Sequence, residues 1–207
     1  MTTNVLNELK TKGFLILDSN FFDFDKELLN EIKSSFSYMR ENEERLFDHL
    51  RLHNVGTQRI KNNEELNDII VSEKNNESWF QLWKFSEYYN KELFDRYTGH
   101  IIQKIYDIDS IQSHSQFTNF RRGCGIKSHA DSNSDHNPTR ICAILSYFSQ
   151  DWKEEYGGCL VIENEVTVLP NEDTIVILDF TENNIEHEVS EVVVDKYRWA
   201  VLSFLEK

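Results

Sequence analysis

The chain has 207 residues, 39% of them hydrophobic and 13% aromatic. That is a globular composition with enough apolar mass for one sizeable core, and it excludes a disordered chain. Its 22 basic residues against 36 acidic ones leave a net charge of −14, a field that repels nucleic acid and anionic membranes, so neither is expected as a partner.

The N-terminal stretch "MTTNVLNELKTKG" contains no apolar core of a leader, and no run approaches the ~20 apolar residues of a membrane span. Thr2 or Thr3 caps a short helix that ends at Gly13. "FLILD" (Phe14–Asp18) then reads as a short strand. From Phe24 to Phe47, Leu28, Leu29, Ile32, Phe36 and Met39 recur at near-helical spacing with charge on the other face. "NNEELNDIIV" begins with Asn caps and acidic residues suited to a helix start. "SEYYNKELFDRYTGHIIQKIYDI" offers Ser86 as a cap and an apolar stripe through Tyr89, Leu93, Tyr97, Ile101 and Ile105. Trp79, Phe80 and Trp83 in "SWFQLW" read as core.

From about Phe117 the runs become short and β-rich: "FTNF", "RICAILSYF", "CLVIE", "TVL", "TIVILDF", "HEVSEVVV" and "YRWAVLSF". Turn signals separate them, at Gly123 and Gly125, Asn137-Pro138, Gly157-Gly158, Pro170-Asn171 and Asn183-Asn184. Many short strands with regular breaks predict a sandwich or barrel. No linker separates the halves, so one α+β domain over 1–207 is expected, with helices buttressing a β-core. The three cysteines, Cys124, Cys142 and Cys159, form no CxxC pair. Their number and spacing fit a reducing compartment, and a cytoplasmic protein is expected. Cys124 and Cys142 read as small buried residues, Tyr147 and Trp152 as packing.

"GIKSHADSNSDHNP" concentrates potential metal ligands. On a strand His129 and Asp131 share a face, and an imidazole with a carboxylate suits a divalent first-row metal. His187, 56 residues beyond Asp131 and between two predicted strands, is the best third ligand; His136 competes but precedes Asn137-Pro138. Two His and one carboxylate leave open positions, the facial triad of non-haem Fe(II) oxygenases. An HxD pair alone is weak in a chain with 7 histidines. Arg198 strengthens it: on "YRWAVLSF" it shares a face with Ala200 and Leu202, and a buried guanidinium needs an anion. A dicarboxylate is one that it grips through parallel hydrogen bonds. Arg122 and Arg140 flank the motif and are candidates for a substrate carboxylate.

These residues resemble the Fe(II)/2-oxoglutarate-dependent dioxygenases, in their prolyl-hydroxylase-like branch. The resemblance runs from about Phe117 to Phe204: "HAD", the strand "RICAILSYFSQDW", "YGGCLVI", "HEVSEV" and Arg198, in the family's order. It implies a double-stranded β-helix (jelly-roll) over 113–207 with 1–112 as mainly helical support. It also implies Fe(II) on His129, Asp131 and His187, 2-oxoglutarate as co-substrate held by Arg198, and O2. The implied activity is hydroxylation of an amino acid, prolyl residue or related small molecule, with release of succinate and CO2. Asp131 keeps the carboxylate that a halogenase replaces. The chain departs from the branch at two tyrosines: Phe120 stands about nine residues before the HxD His, and the second position aligns with Ser146, beside Tyr147. Ser146, Asn119 and Thr118 are therefore the candidates for rebuilding the 2-oxoglutarate site. A small molecule or short peptide is the expected substrate, and nothing in the pattern sets an oligomeric state. The alternative reading is a non-enzymatic metal-binding jelly-roll, a module or sensor.

Overall fold

The structure, a computed structural model, describes residues 2–41, 79–81, 91–106, 112–120, 122–131 and 140–206. Three helices are described: α1 (Thr2–Lys12), α2 (Lys26–Glu41) and α3 (Lys91–Tyr106). Ten strands accompany them: β1 (Phe14–Asp18), β2 (Trp79–Gln81), β3 (Gln112–Phe120), β4 (Ile126–His129), β5 (Arg140–Tyr147), β6 (Leu160–Ile162), β7 (Val166–Val168), β8 (Thr174–Asp179), β9 (His187–Val189) and β10 (Arg198–Glu206). The expected helix "NNEELNDIIV" and the residues Trp83, Ser86, Tyr89 and His136 lie outside the described residues. No helix among the described residues is long and apolar enough to cross a membrane.

The strands form two antiparallel sheets, a six-stranded one in the order β1-β8-β5-β10-β3-β2 and a four-stranded one in the order β4-β9-β6-β7. This is the expected jelly-roll core with helices on one side. The central strands of the large sheet are apolar on both faces because both are covered. Cys142 and Ile144 of β5, Ile175 and Ile177 of β8, and Trp199, Val201 and Leu205 of β10 pack with the helices. The alternate residues Ala143, Leu145 and Tyr147, Val176 and Leu178, and Ala200 and Phe204 pack toward the small sheet with Leu160, Ile162 and Val189.

The helices reach the sheet by their predicted stripes. In α2, Leu28, Ile32 and Phe36 are buried at four-residue spacing, and the Asp25 carboxylate accepts from the N–H groups of Glu27 and Leu28 at its start. Phe36 stacks on Phe148, centroids 3.7 Å apart, which ties α2 to the end of β5. In α3, Leu93, Phe94, Tyr97, Ile101, Ile102 and Ile105 are buried. Thr98 closes a ring of buried hydroxyls with Ser115 of β3 and Ser203 of β10, at 2.7 to 3.3 Å.

Two strands differ from expectation. "FTNF" is only the end of the nine-residue β3, whose polar beginning hides its pairing with β10. "HEVSEVVV" is regular only over His187–Val189; beyond it, Ser190, Val192 and Val193 bond irregularly to Gly158, Cys159, Gly123, Cys124 and Tyr156.

Candidate metal centre and anion anchor

β4 and β9 are antiparallel neighbours, and His129 stands directly opposite His187. Asp131 follows β4 by two residues, so its side chain returns to the same side. The ligand atoms of His129, Asp131 and His187 all lie within 4.8 Å of one another. Each imidazole Nε2 is 3.6 Å from one Asp131 carboxylate oxygen, His129 from Oδ1 and His187 from Oδ2. Nδ1 of His129 meets the Lys127 carbonyl at 2.9 Å and Nδ1 of His187 the Ile185 carbonyl at 3.2 Å. A carbonyl only accepts, so both Nδ1 atoms carry a proton, and Nε2 is the atom that each ring aims at Asp131. That is the tautomer and aim a first-row metal requires, and the donor set fits Fe(II).

The electrostatics follow from the crowding. Burial alone raises the Asp131 carboxyl, but the two imidazoles and Arg140 outweigh it and hold the group below its ordinary range. Burial disfavours the charged form of His129, yet Asp131 and the Lys127 carbonyl lift it above the usual imidazole value. His187 is more enclosed, and burial keeps it below that value despite Asp131. Gly125 lets β4 approach this region closely: a Cβ there would sit 2.8 Å from the Val189 carbonyl oxygen.

Arg198 begins β10 opposite Phe120 of β3 and is 2% exposed. Its Nε donates to the Gly158 carbonyl at 2.6 Å. Its Cζ lies 5.0 Å from the rings of both Phe120 and Tyr147, which belong to the two neighbouring strands. Arg198 Nη2 and the Tyr147 hydroxyl are both buried and lean on one another, and neither meets any further partner among the described residues. Burial lowers the Arg198 pKa, and burial pushes Tyr147 up to about 12 against the pull of Arg198. Two buried donors with unused hydrogens, one of them cationic, are a site for an anion.

The remaining expectations divide. Ser146 is a correction. It faces Val201 of β10 and the helix side, where the Tyr97 hydroxyl meets it, so the sheet separates it from Arg198. Asn119 is a second correction, because it pairs with Trp199 of β10 and so shares the helix-side face of that residue. Its buried amide makes no hydrogen bond among the described residues. Thr118 does lie on the Arg198 face, opposite Ala200, with its hydroxyl 3.4 Å from the Ala200 carbonyl. The residue that sequence reasoning missed is Tyr147, read there as packing. Arg122 lies at the surface with Asp195, 3.3 Å away, their side chains 64% and 82% exposed; it is not part of the cluster. Arg140 is, through Nη1, which is 3.6 Å from Asp131 Oδ1 and 3.4 Å from the Asp131 carbonyl oxygen. Its Cζ sits 3.7 Å above the Phe204 ring. Cys124 and Cys142 are buried free thiols.

Residues 115–206 match the family model described as the 2OG-Fe(II) oxygenase superfamily. No curated protein matches the chain significantly in sequence. Among solved structures, a prolyl-4-hydroxylase from Pseudomonas putida is similar over 100% of this chain and 99% of its own, with TM-score 0.62 and 14% identity. A prolyl hydroxylase from Trichoplax adhaerens, solved with a hypoxia inducible factor oxygen degradation domain peptide fragment, is similar over 99% of this chain and 88% of its own, with TM-score 0.59 and 16% identity. An oxidoreductase of the 2OG-Fe(II) oxygenase family from Burkholderia pseudomallei has TM-score 0.58 and 14% identity, covering 100% of this chain and 90% of its own. At these identities the likeness speaks for the fold, and the family match speaks for the cofactors Fe(II), 2-oxoglutarate and O2. Residues 115–206 thus match the 2OG-Fe(II) oxygenase superfamily model, and the fold of the chain is similar to that of prolyl-4-hydroxylases.

Proposed function

We propose that the chain is a 2-oxoglutarate- and Fe(II)-dependent hydroxylase acting on an unactivated C–H of an amino acid, a prolyl residue or a related small molecule. The observation that carries this reading is the pairing of two sites on one inner face. Three metal-ligand atoms lie within 4.8 Å of one another, and a buried cation beside a buried phenol has donors to spare. A metal-binding scaffold needs only the first; the second fits an anionic co-substrate.

Fe(II) with 2-oxoglutarate and O2 supplies the oxidising chemistry, and succinate and CO2 are its by-products. The protein does the rest. His129, Asp131 and His187 would hold the metal, with both Nδ1 protons tied to carbonyls so that the rings cannot flip away. Arg198 and Tyr147 would take the distal carboxylate of the co-substrate. The apolar residues Leu145, Leu160, Ile162 and Val189 line the same inner layer and exclude water from it. Arg140 would steady Asp131 through Nη1.

The test is succinate release from 2-oxoglutarate with Fe(II), screened over prolyl peptides and free amino acids. The expected result is release stimulated by one substrate class and lost in Asp131→Ala. Absence of both 2-oxoglutarate binding and turnover in Fe(II)-loaded protein would overturn the reading.

A further inference from the structure

Arg198 is held along its length before any ligand arrives. Its Nε is occupied by the Gly158 carbonyl at 2.6 Å, and the rings of Phe120 and Tyr147 flank its Cζ from the strands on either side. Only the Nη edge is left to meet a ligand, and Tyr147 is the one side chain among the described residues that leans on it. The carbonyl that does the holding is itself fixed. Gly157 and Gly158 both have φ of 67°, and Gly157 has ψ of −158°, a combination open only to glycine. The Gly157 carbonyl accepts from Trp152 Nε1 at 2.7 Å, and the Gly158 N–H donates to the Ser190 carbonyl at 2.9 Å. No space remains for adjustment: a Cβ on Gly158 would sit 2.9 Å from Val192 Cγ2, 3.1 Å from Arg198 Cδ and 3.3 Å from Trp152 Cζ2.

From this we infer that the Gly157–Gly158 turn is a specificity-determining device: by locking Arg198 through its Nε, it restricts the co-substrate to one chain length between the metal-binding 2-oxo end and the distal carboxylate. The inference rests on the co-substrate reading above. A long cationic side chain free to swing follows the carboxylate of a shorter or longer 2-oxo diacid at little cost. One whose Nε and ring contacts are fixed cannot, so a homologue one methylene shorter or longer leaves the buried donors unsatisfied. Gly158 touches no ligand; it acts through Arg198 and is a positioning residue.

The experiment is calorimetric binding of 2-oxoglutarate, oxaloacetate and 2-oxoadipate to Fe(II)-loaded protein without O2, with Fe(II) affinity measured separately. The wild type is expected to prefer 2-oxoglutarate by at least about ten-fold over either homologue, the factor of one misplaced charge-assisted hydrogen bond. Gly158→Ala is expected to bind 2-oxoglutarate about ten-fold more weakly, to bring the three affinities closer together, and to leave Fe(II) binding unchanged. Trp152→Phe leaves Arg198 intact and removes the donor that fixes the Gly157 carbonyl, and the same narrowing is expected; it decides the question if melting shows that Gly158→Ala does not fold. Wild-type selectivity retained in both folded variants, or in Trp152→Phe alone where Gly158→Ala does not fold, would overturn the inference while leaving the proposed function standing. Failure of the wild type to bind 2-oxoglutarate would overturn both.

Discussion

His129 and His187 are cross-strand partners, one at the end of β4 and one at the start of β9, with ring centroids 4.4 Å apart. The small sheet therefore sets the metal site: two strands far apart in sequence bring the rings together, and Asp131 closes the third side. Removing one ligand should hurt metal binding far more than folding, because none of the three belongs to the apolar clusters that hold the sheets together.

In Asp131→Ala and in His187→Ala, Fe(II) affinity should fall by well over 100-fold, since outer-sphere partners alone are worth about 10–100-fold. Anaerobic metal titration reads the affinity, and thermal melting of the apo-protein reads the fold. Near-wild-type metal binding in either variant would remove the triad assignment.

Arg140 offers a different test. Its Nη1 lies against the Asp131 carboxylate and carbonyl, and its guanidinium rests on Phe204. A steadying role predicts that Arg140→Met weakens Fe(II) by about 10–100-fold, with the KM for substrate following only through the metal. A substrate-carboxylate role predicts the reverse, an intact metal affinity and a raised substrate KM.

Arg198→Ala should raise the KM for 2-oxoglutarate steeply. Removing one member of a buried charged pair costs about 3–5 kcal/mol, which is roughly a hundred- to several-thousand-fold in affinity. Fe(II) binding should stay nearly unchanged. An unchanged 2-oxoglutarate KM would move the anchor elsewhere on the inner face.

The helix layer has its own test. Phe36 is fully buried and stacked on Phe148, so Phe36→Ala should cost about 3–5 kcal/mol. Denaturant unfolding followed by tryptophan fluorescence measures it; a loss below about 1 kcal/mol would mean that the gap is refilled.

Much of this site is legible before any coordinates. His129 and Asp131 declare themselves by alternation, and His187 and Arg198 by their order along the β-rich half. β1 reads correctly because "FLILD" is short, apolar and bounded. Other parts are hidden for physical reasons. The first residues of β3 are polar, and Ser115 is acceptable there only because Thr98 and Ser203 satisfy its hydroxyl, which the local sequence does not reveal. On β5 the difficulty is deeper. Both faces of the strand are buried, so every residue from Cys142 to Tyr147 sits among apolar neighbours, and no polarity period marks which face looks toward the metal. A one-residue shift moves a side chain through the sheet.

That shift yields the last prediction. Ser146 and Tyr147 are adjacent on β5, one facing the helices beside Tyr97 and the other facing Arg198. If the pocket lies on the Arg198 side, only Tyr147 touches its contents. Tyr147→Phe keeps the ring and its packing against the guanidinium and removes one buried donor. A hydrogen bond to a charged group is worth about 1.5–3 kcal/mol, so 2-oxoglutarate should weaken by roughly ten- to a hundred-fold, less than in Arg198→Ala. Ser146→Ala removes a hydroxyl on the far side of the sheet. It should leave the 2-oxoglutarate KM within about two-fold, with any loss confined to stability. Steady-state kinetics on the two variants, with melting curves beside them, separate the faces. A large KM effect in Ser146→Ala and none in Tyr147→Phe would reverse the assignment of β5.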